Sequence, residues 1–284
     1  MIKLCAFADE ADNSLEGQIQ ALKRNGISYL ELRSVNGKNV KDVTEAEAIE
    51  YAKMLKENDI QVYSIGSPIG KVSIDVDIDE YIQEITHIFK LANIFGTDKI
   101  RMFSFFCAYD QREKVISNLT KMSEKAKEYG VTLYHENEKD IYGDVALRVK
   151  DVLDSVPALK SIYDPANYLQ VGEKADDTLN LFHARTDYFH IKDVIVATGE
   201  LVPAGYGDGK LDELVKRIDK DMVLSIEPHL AVFAAYAQID GTEMKHKFEF
   251  HSNGEAFDAA VTAIKKVLNN AGYQELNGAF VKTK

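Results

Sequence analysis

Apolar runs of strand length alternate along this chain with longer stretches whose apolar positions recur at helical spacing. Residues 2–8 read as a first strand and 14–25 as a first helix, with Ser14 at its N-cap. A second strand spans 29–33, and helix 44–58 follows with Ala48, Tyr51, Ala52 and Leu55 on one face. Strand 61–65, helix 79–95, strand 99–105, helix 111–129 and strand 132–136 complete the first part. The second part reads as helix 145–155, strand 161–164, helix 178–184, strand 188–193, helix 210–219, strand 222–227 and a last helix, 255–269.

The early units repeat weakly. Each helix runs into a turn residue and then the next strand, as in "KRNGISYLEL", "KENDIQVYSI", "NIFGTDKIRMF" and "KEYGVTLYHE". The turn residues Gly26, Asp59, Gly96 and Gly130 stand 33, 37 and 34 residues apart, a period that suits one β-α unit. At such positions a residue that tolerates positive φ closes the helix. Alternation of this kind predicts a parallel sheet. Eight units favour a single closed (β/α)8 barrel over 1–284, with a doubly wound open sheet as the alternative. No interdomain linker interrupts the pattern. One irregular stretch, 231–254, falls between the eighth strand and the last helix, on the catalytic face of such a barrel, and suits a lid or a dimer contact.

Composition narrows the function. The net charge of −12 repels phosphate backbones, so nucleic acid is not an expected partner. No run approaches the roughly 20 apolar residues that span a bilayer. Met1 to Ala8 leads straight into Asp9, Glu10 and Asp12, which suits a strand and not a secretory signal, so a cytoplasmic protein is expected. Cys5 and Cys107 form no CxxC pair, and both are expected to be small buried residues.

In a barrel of this type the chemistry lies at the carboxyl ends of the strands. Four consecutive strand ends carry groups that bind metals: Glu136 in "LYHENE", Asp164 in "SIYDPAN", His190 in "FHIKD" and Glu227 in "LSIEPH". Taken singly, each has a plainer role, as a helix cap before Pro165, a core histidine or a strand end before Pro228. Their spacings of 28, 26 and 37 residues place each one unit further round the barrel, so that they can converge. Carboxylates buried together without a cation would repel one another. Three carboxylates and an imidazole favour Mn²⁺, Mg²⁺ or Co²⁺ over a thiolate-type zinc site, with Zn²⁺ still possible.

These residues, with "YDPANYLQVGE" and "VPAGYGDGKLDEL", resemble the sugar phosphate isomerase/epimerase family of xylose isomerase-like barrels, across almost the whole chain. The resemblance implies one divalent metal held by Glu136, Asp164, His190 and Glu227. It implies that Glu136 and Glu227 also act as acid and base on a small sugar or sugar derivative, through an enediolate. Relatives of this kind are often dimers or tetramers, so a homo-oligomer is expected. The chain departs from epimerase-like members at Asn167, where they tend to carry a histidine, and "HENE" offers Glu138 in phase with Glu136 as a rival ligand.

Strand alternation turns Lys192 the same way as His190, and His229 the same way as Glu227. Lys192, Asn167, His229, Arg101 and Glu31 are therefore substrate-binding candidates. Against this stand a salt bridge for Lys192, a hydrogen-bonded loop position for His229, and a buried ion network for Glu31, Arg33 and Arg101. Gly205, Gly207 and Gly209 follow the seventh strand, where structural turns are a better reading than a phosphate cradle. The leading expectation is a metal-dependent isomerase or epimerase. A lyase or dehydratase with the same site stands beside it, ahead of a silent sugar-binding barrel or a DNA-repair enzyme of the endonuclease IV type.

Overall fold

The computed structural model describes residues 1–230, 248 and 250–283. Eight parallel strands form its centre: β1 (Ile2–Ala6), β2 (Tyr29–Leu32), β3 (Gln61–Ile65), β4 (Lys99–Met102), β5 (Thr132–Glu136), β6 (Lys160–Tyr163), β7 (Tyr188–Ile191) and β8 (Met222–Ile226). Neighbours in sequence are neighbours in the sheet, and β8 returns to β1 with Ile2 opposite Met222 and Ala6 opposite Ile226. That pairing closes the barrel and excludes the open sheet.

Around it run α1 (Leu15–Arg24), α2 (Glu45–Glu57), α3 (Ile78–Phe95), α4 (Arg112–Glu128), α5 (Ala146–Ser155), α6 (Pro165–Gln170), α7 (Ala175–Phe182), α8 (Leu211–Lys216) and α9 (Asn253–Asn270). Local chemistry sets the helix ends. Ser14 Oγ accepts from Gly17 N at 3.1 Å, and Thr44 forms a reciprocal capping box with Glu47. Gly26, Asp59, Gly96 and Gly130 all adopt positive φ, as their repeat suggests.

The structure departs from the sequence reading in several places. β4 stops at Met102, because Phe103 N and Phe105 N turn away to bond Ile69 O and Gly70 O. In place of one helix over 178–184 there are two, α6 and α7, parted by Gly172 at φ 84°. The C-terminal hairpin β9 (Tyr273–Leu276) and β10 (Ala279–Lys282) is an addition, joined by Asn277-Gly278 with both φ positive. It places Phe280 antiparallel to Ile2 at the start of β1. Cys5 is buried as expected, whereas Cys107 is exposed because it lies in the loop after β4 at φ 56°.

Two layers of packing position the site. Outward-facing residues such as Leu4, Leu30, Ile100 and Leu133 pack under the helices. Inside the barrel a floor of tyrosines forms edge-on contacts, Tyr29–Tyr63 at 5.8 Å and Tyr63–Tyr188 at 5.3 Å, and the polar residues stand above it. Among the described residues no helix is long and apolar enough to cross a membrane. Of the irregular stretch, residues 231–247 and 249, including Phe233, Tyr236 and His246, lie outside the described residues.

Candidate metal centre and active site

Glu136 is the last residue of β5, His190 lies within β7, and Asp164 and Glu227 directly follow β6 and β8. One ligand atom from each lies within 4.8 Å of the other three, and all four residues are buried. Groups about 2.2 Å from a shared ion can stand at most about 4.4 Å apart, so the cluster is nearly closed to ligation distance. Glu136 Oε2, Asp164 Oδ2 and Glu227 Oε2 are buried without a hydrogen bond, and each faces a basic nitrogen: Arg101 at 3.3 Å, Lys192 at 2.9 Å and His190 at 3.3 Å. A divalent cation is what such an oxygen set would satisfy.

Asp164 does two jobs. Its Oδ1 accepts from Asn167 N at 2.9 Å and caps α6, with Pro165 at N1, while Oδ2 turns into the cluster and stands 2.9 Å from Lys192 Nζ. Capping uses one oxygen and leaves the other to the cluster. Burial pushes the Asp164 carboxyl up to about 6, against the pull of Lys192 and with Glu136 and Glu227 adding to the rise. Burial also works to raise Glu227, but Lys192, His190 and His229 together hold it well below the usual carboxylate range.

His190 stands at the centre. Nδ1 lies 2.9 Å from Glu136 Oε1 and 3.3 Å from Glu227 Oε2, and Nε2 lies 3.2 Å from Glu31 Oε2. Burial disfavours its charge, yet Glu136 and Glu31 hold its pKa well above the ordinary value. A metal taking the Nδ1 lone pair would replace that proton, with Glu31 receiving Nε2–H and fixing the ring. Glu31 is thus corrected from a substrate contact to a support. It is fully buried, accepts from Tyr188 OH at 2.9 Å and Ser225 Oγ at 2.6 Å, and sits one layer below the ligands.

The other named residues divide by what they touch. Arg101 Nη1 stands 3.3 Å from Glu136 Oε2 and 3.5 Å from Glu227 Oε1, and its guanidinium is stacked between Phe7 and Phe103. Asn167 Nδ2 donates to Asn137 O at 2.8 Å and, at 3.4 Å, to Glu136 Oε1. His229, at φ 47°, is buried between Glu227 and Glu10. Glu138, the rival ligand, pairs with Lys71 at 3.1 Å and leaves the cluster to Glu136.

The buried ion network expected for Arg33 is present, while its acidic partners Asp9 and Glu10 and the part played by Asp193 escaped the sequence reading. Asp9 and Glu10 form an acidic wall after β1, whose signal was the acidic run that follows the first strand directly. Arg33 binds both of them and Glu227. Asp193 accepts from Gly205 N, Gly207 N and Gly209 N at 2.9, 3.1 and 2.9 Å. An internal carboxylate therefore fills the glycine loop, which is a structural turn and not a phosphate cradle.

The family model for xylose isomerase-like TIM barrels matches residues 19–237. The chain belongs to that family. No curated protein matches it in sequence. Similar solved structures include the probable 3-DHS dehydratase AsbF from Bacillus anthracis, at 17% identity and TM-score 0.72 over 93% of this chain and 99% of that one. The IOLI protein with a bound zinc atom is 16% identical with TM-score 0.73, over 95% and 99%. An L-ribulose 3-epimerase is 16% identical with TM-score 0.72, over 95% and 96%. Likeness at these identities establishes the fold alone.

Proposed function

We propose that this barrel is a divalent-metal-dependent isomerase or epimerase acting on a small sugar or sugar derivative by proton transfer next to a carbonyl. The observation that carries the reading is the convergence of three buried carboxylates and one imidazole, with ligand atoms within 4.8 Å of one another, at the carboxyl end of the barrel. Glu136, Asp164, His190 and Glu227 would hold the ion, and their oxygen-rich set suits Mn²⁺, Mg²⁺ or Co²⁺, with Zn²⁺ also accommodated. When bound, such an ion supplies the positive charge that makes a C–H next to a substrate carbonyl acidic.

The residues do the rest. Glu136 and Glu227 are brought to the cluster from non-adjacent strands, and Arg101 touches both. One carboxylate removes the carbon-bound proton and the other returns one. Return to the same carbon from the opposite face inverts a stereocentre, and return to the neighbouring carbon moves the carbonyl. Lys192, Asn167 and His229 each contact a residue of the cluster and, on this reading, would bind substrate oxygens.

A lyase is the second reading, since loss of a β-substituent after the same proton removal gives dehydration, and one similar structure is named a dehydratase. Metal-loaded protein incubated in heavy water with a panel of ketoses and inososes separates the two. Deuterium at carbon with retained formula reports isomerisation, and loss of water reports elimination. Fully loaded protein that exchanges no carbon-bound hydrogen in any of them would end the proposal.

A further inference from the structure

Beside the first cluster lies a second set of ligand-type atoms. Glu10, Glu227 and His229, all buried, bring one such atom each within 4.8 Å of the others. The two sets share Glu227 and divide its carboxylate. Oε2 faces His190 and has no hydrogen bond, whereas Oε1 faces Arg33 at 2.9 Å, His229 Nε2 at 3.4 Å and Arg101 at 3.5 Å. We propose that the Arg33 guanidinium fills a second cation position between Glu10 and Glu227, so that this barrel takes one divalent ion and not two.

The geometry of Arg33 supports a permanent occupant. Nε and Nη2 make a two-point contact with Asp9 at 2.8 and 3.1 Å, Nη2 reaches Glu10 Oε1 at 3.2 Å, and Nη1 reaches Glu227 Oε1. The guanidinium lies 4.6 Å from the Phe7 ring and the side chain is 4% exposed. A planar, always-charged fork anchored at three carboxylates cannot dissociate as an ion can. By gripping Oε1 it also leaves Oε2 turned to His190 and the first cluster, which makes Arg33 a positioning residue for Glu227.

Removing the guanidinium at constant bulk takes from Asp9, Glu10 and Glu227 the cation that all three share, leaving Arg101 beside Glu227 and His229 beside Glu227 and Glu10, and the excess buried negative charge attracts a divalent ion. This inference rests on the metal reading above, and a count of bound ions tests the two separately. Metal-free full-length protein is titrated with Mn²⁺ by calorimetry and electron paramagnetic resonance. Wild type is expected to take one equivalent with the spectrum of an isolated ion. Arg33→Met is expected to take two, with a spin-coupled spectrum because Glu227 bridges them, and Arg33→Met/Glu10→Gln returns to one.

If Arg33→Met does not fold without metal, it is purified with Mn²⁺ present and its metal counted by elemental analysis, again with two per chain expected. Two ions in wild type, or one in folded Arg33→Met, overturns the inference. No ion in wild type overturns the metal reading itself.

Discussion

Replacing Asp193 by alanine tests how the loop after β7 is held. The side chain accepts three loop amides and Val194 N, of which the bonds to Gly209 and Val194 are buried and those to Gly205 and Gly207 are partly buried. A buried amide left without a partner costs about 1–3 kcal/mol, and a partly exposed one less because water replaces the partner. Burial raises the Asp193 carboxyl against those amides, so some of the gain is already offset in the native state. The net loss is then about 2–3 kcal/mol, or roughly 5 °C in Tm for a chain of this size.

The damage should be local, because a small apolar cluster of Ala166, Leu169, Ala175, Val194 and Leu201 still ties α6 to the strand that starts at Asp193. Denaturant unfolding gives the stability, and hydrogen exchange across residues 204–210 gives the location. Asp193→Asn, which keeps one acceptor, should fall in between. Gly207→Ala should open the same loop by another route, since a methyl there would collide with the Asp193 carboxylate. An Asp193→Ala protein within about 0.5 kcal/mol of wild type, with unchanged loop exchange, would show that the carboxylate does not hold the loop.

Other consequences follow from the same geometry. Glu227→Gln keeps an acceptor for Arg33 and should fold with wild-type circular dichroism, yet lose at least about 10²-fold in turnover measured by heavy-water exchange. Mn²⁺ at about 100 times its Kd should stabilise wild type by about 2.7 kcal/mol. The shift should vanish in Asp164→Asn, which still caps α6. His135, buried beside Ser104, is held down to about 3 by burial and is neutral in the fold, while the unfolded chain titrates near 6.5. Its contribution is complete above about pH 6.5 and is lost as pH falls toward 3, amounting to about 2 kcal/mol between pH 7 and pH 5. In urea titrations at those two pH values, His135→Asn should show a drop smaller than wild type by that amount, and an equal drop would contradict the assignment.

The order of strands and helices was legible in the amino-acid sequence because each element carries its own period, cap or turn residue. Ser14, Thr44 and the helix-closing Gly26, Asp59, Gly96 and Gly130 all act within a few residues of their place in the chain. The cluster of Glu136, Asp164, His190 and Glu227 was legible for a related reason. A repeated β-α unit puts every strand end at one level, so residues far apart in sequence share a height around the barrel. One local signal went unread, Asn277-Gly278, which marks the final hairpin, whereas the capping role read for Asp164 before Pro165 is present at the start of α6.

What only the tertiary structure decided is which atom of each side chain meets which neighbour. Glu31 and Glu136 are both carboxylates on inward-facing positions, but closure of the barrel places one beneath His190 and the other among the ligands. Glu138 shares the phase of Glu136 and is drawn off by Lys71. Arg33 meets Glu227 from 194 residues away because β8 closes on β1, whose next neighbour is β2. Such pairings depend on distances across a closed ring, and no spacing along the chain encodes them.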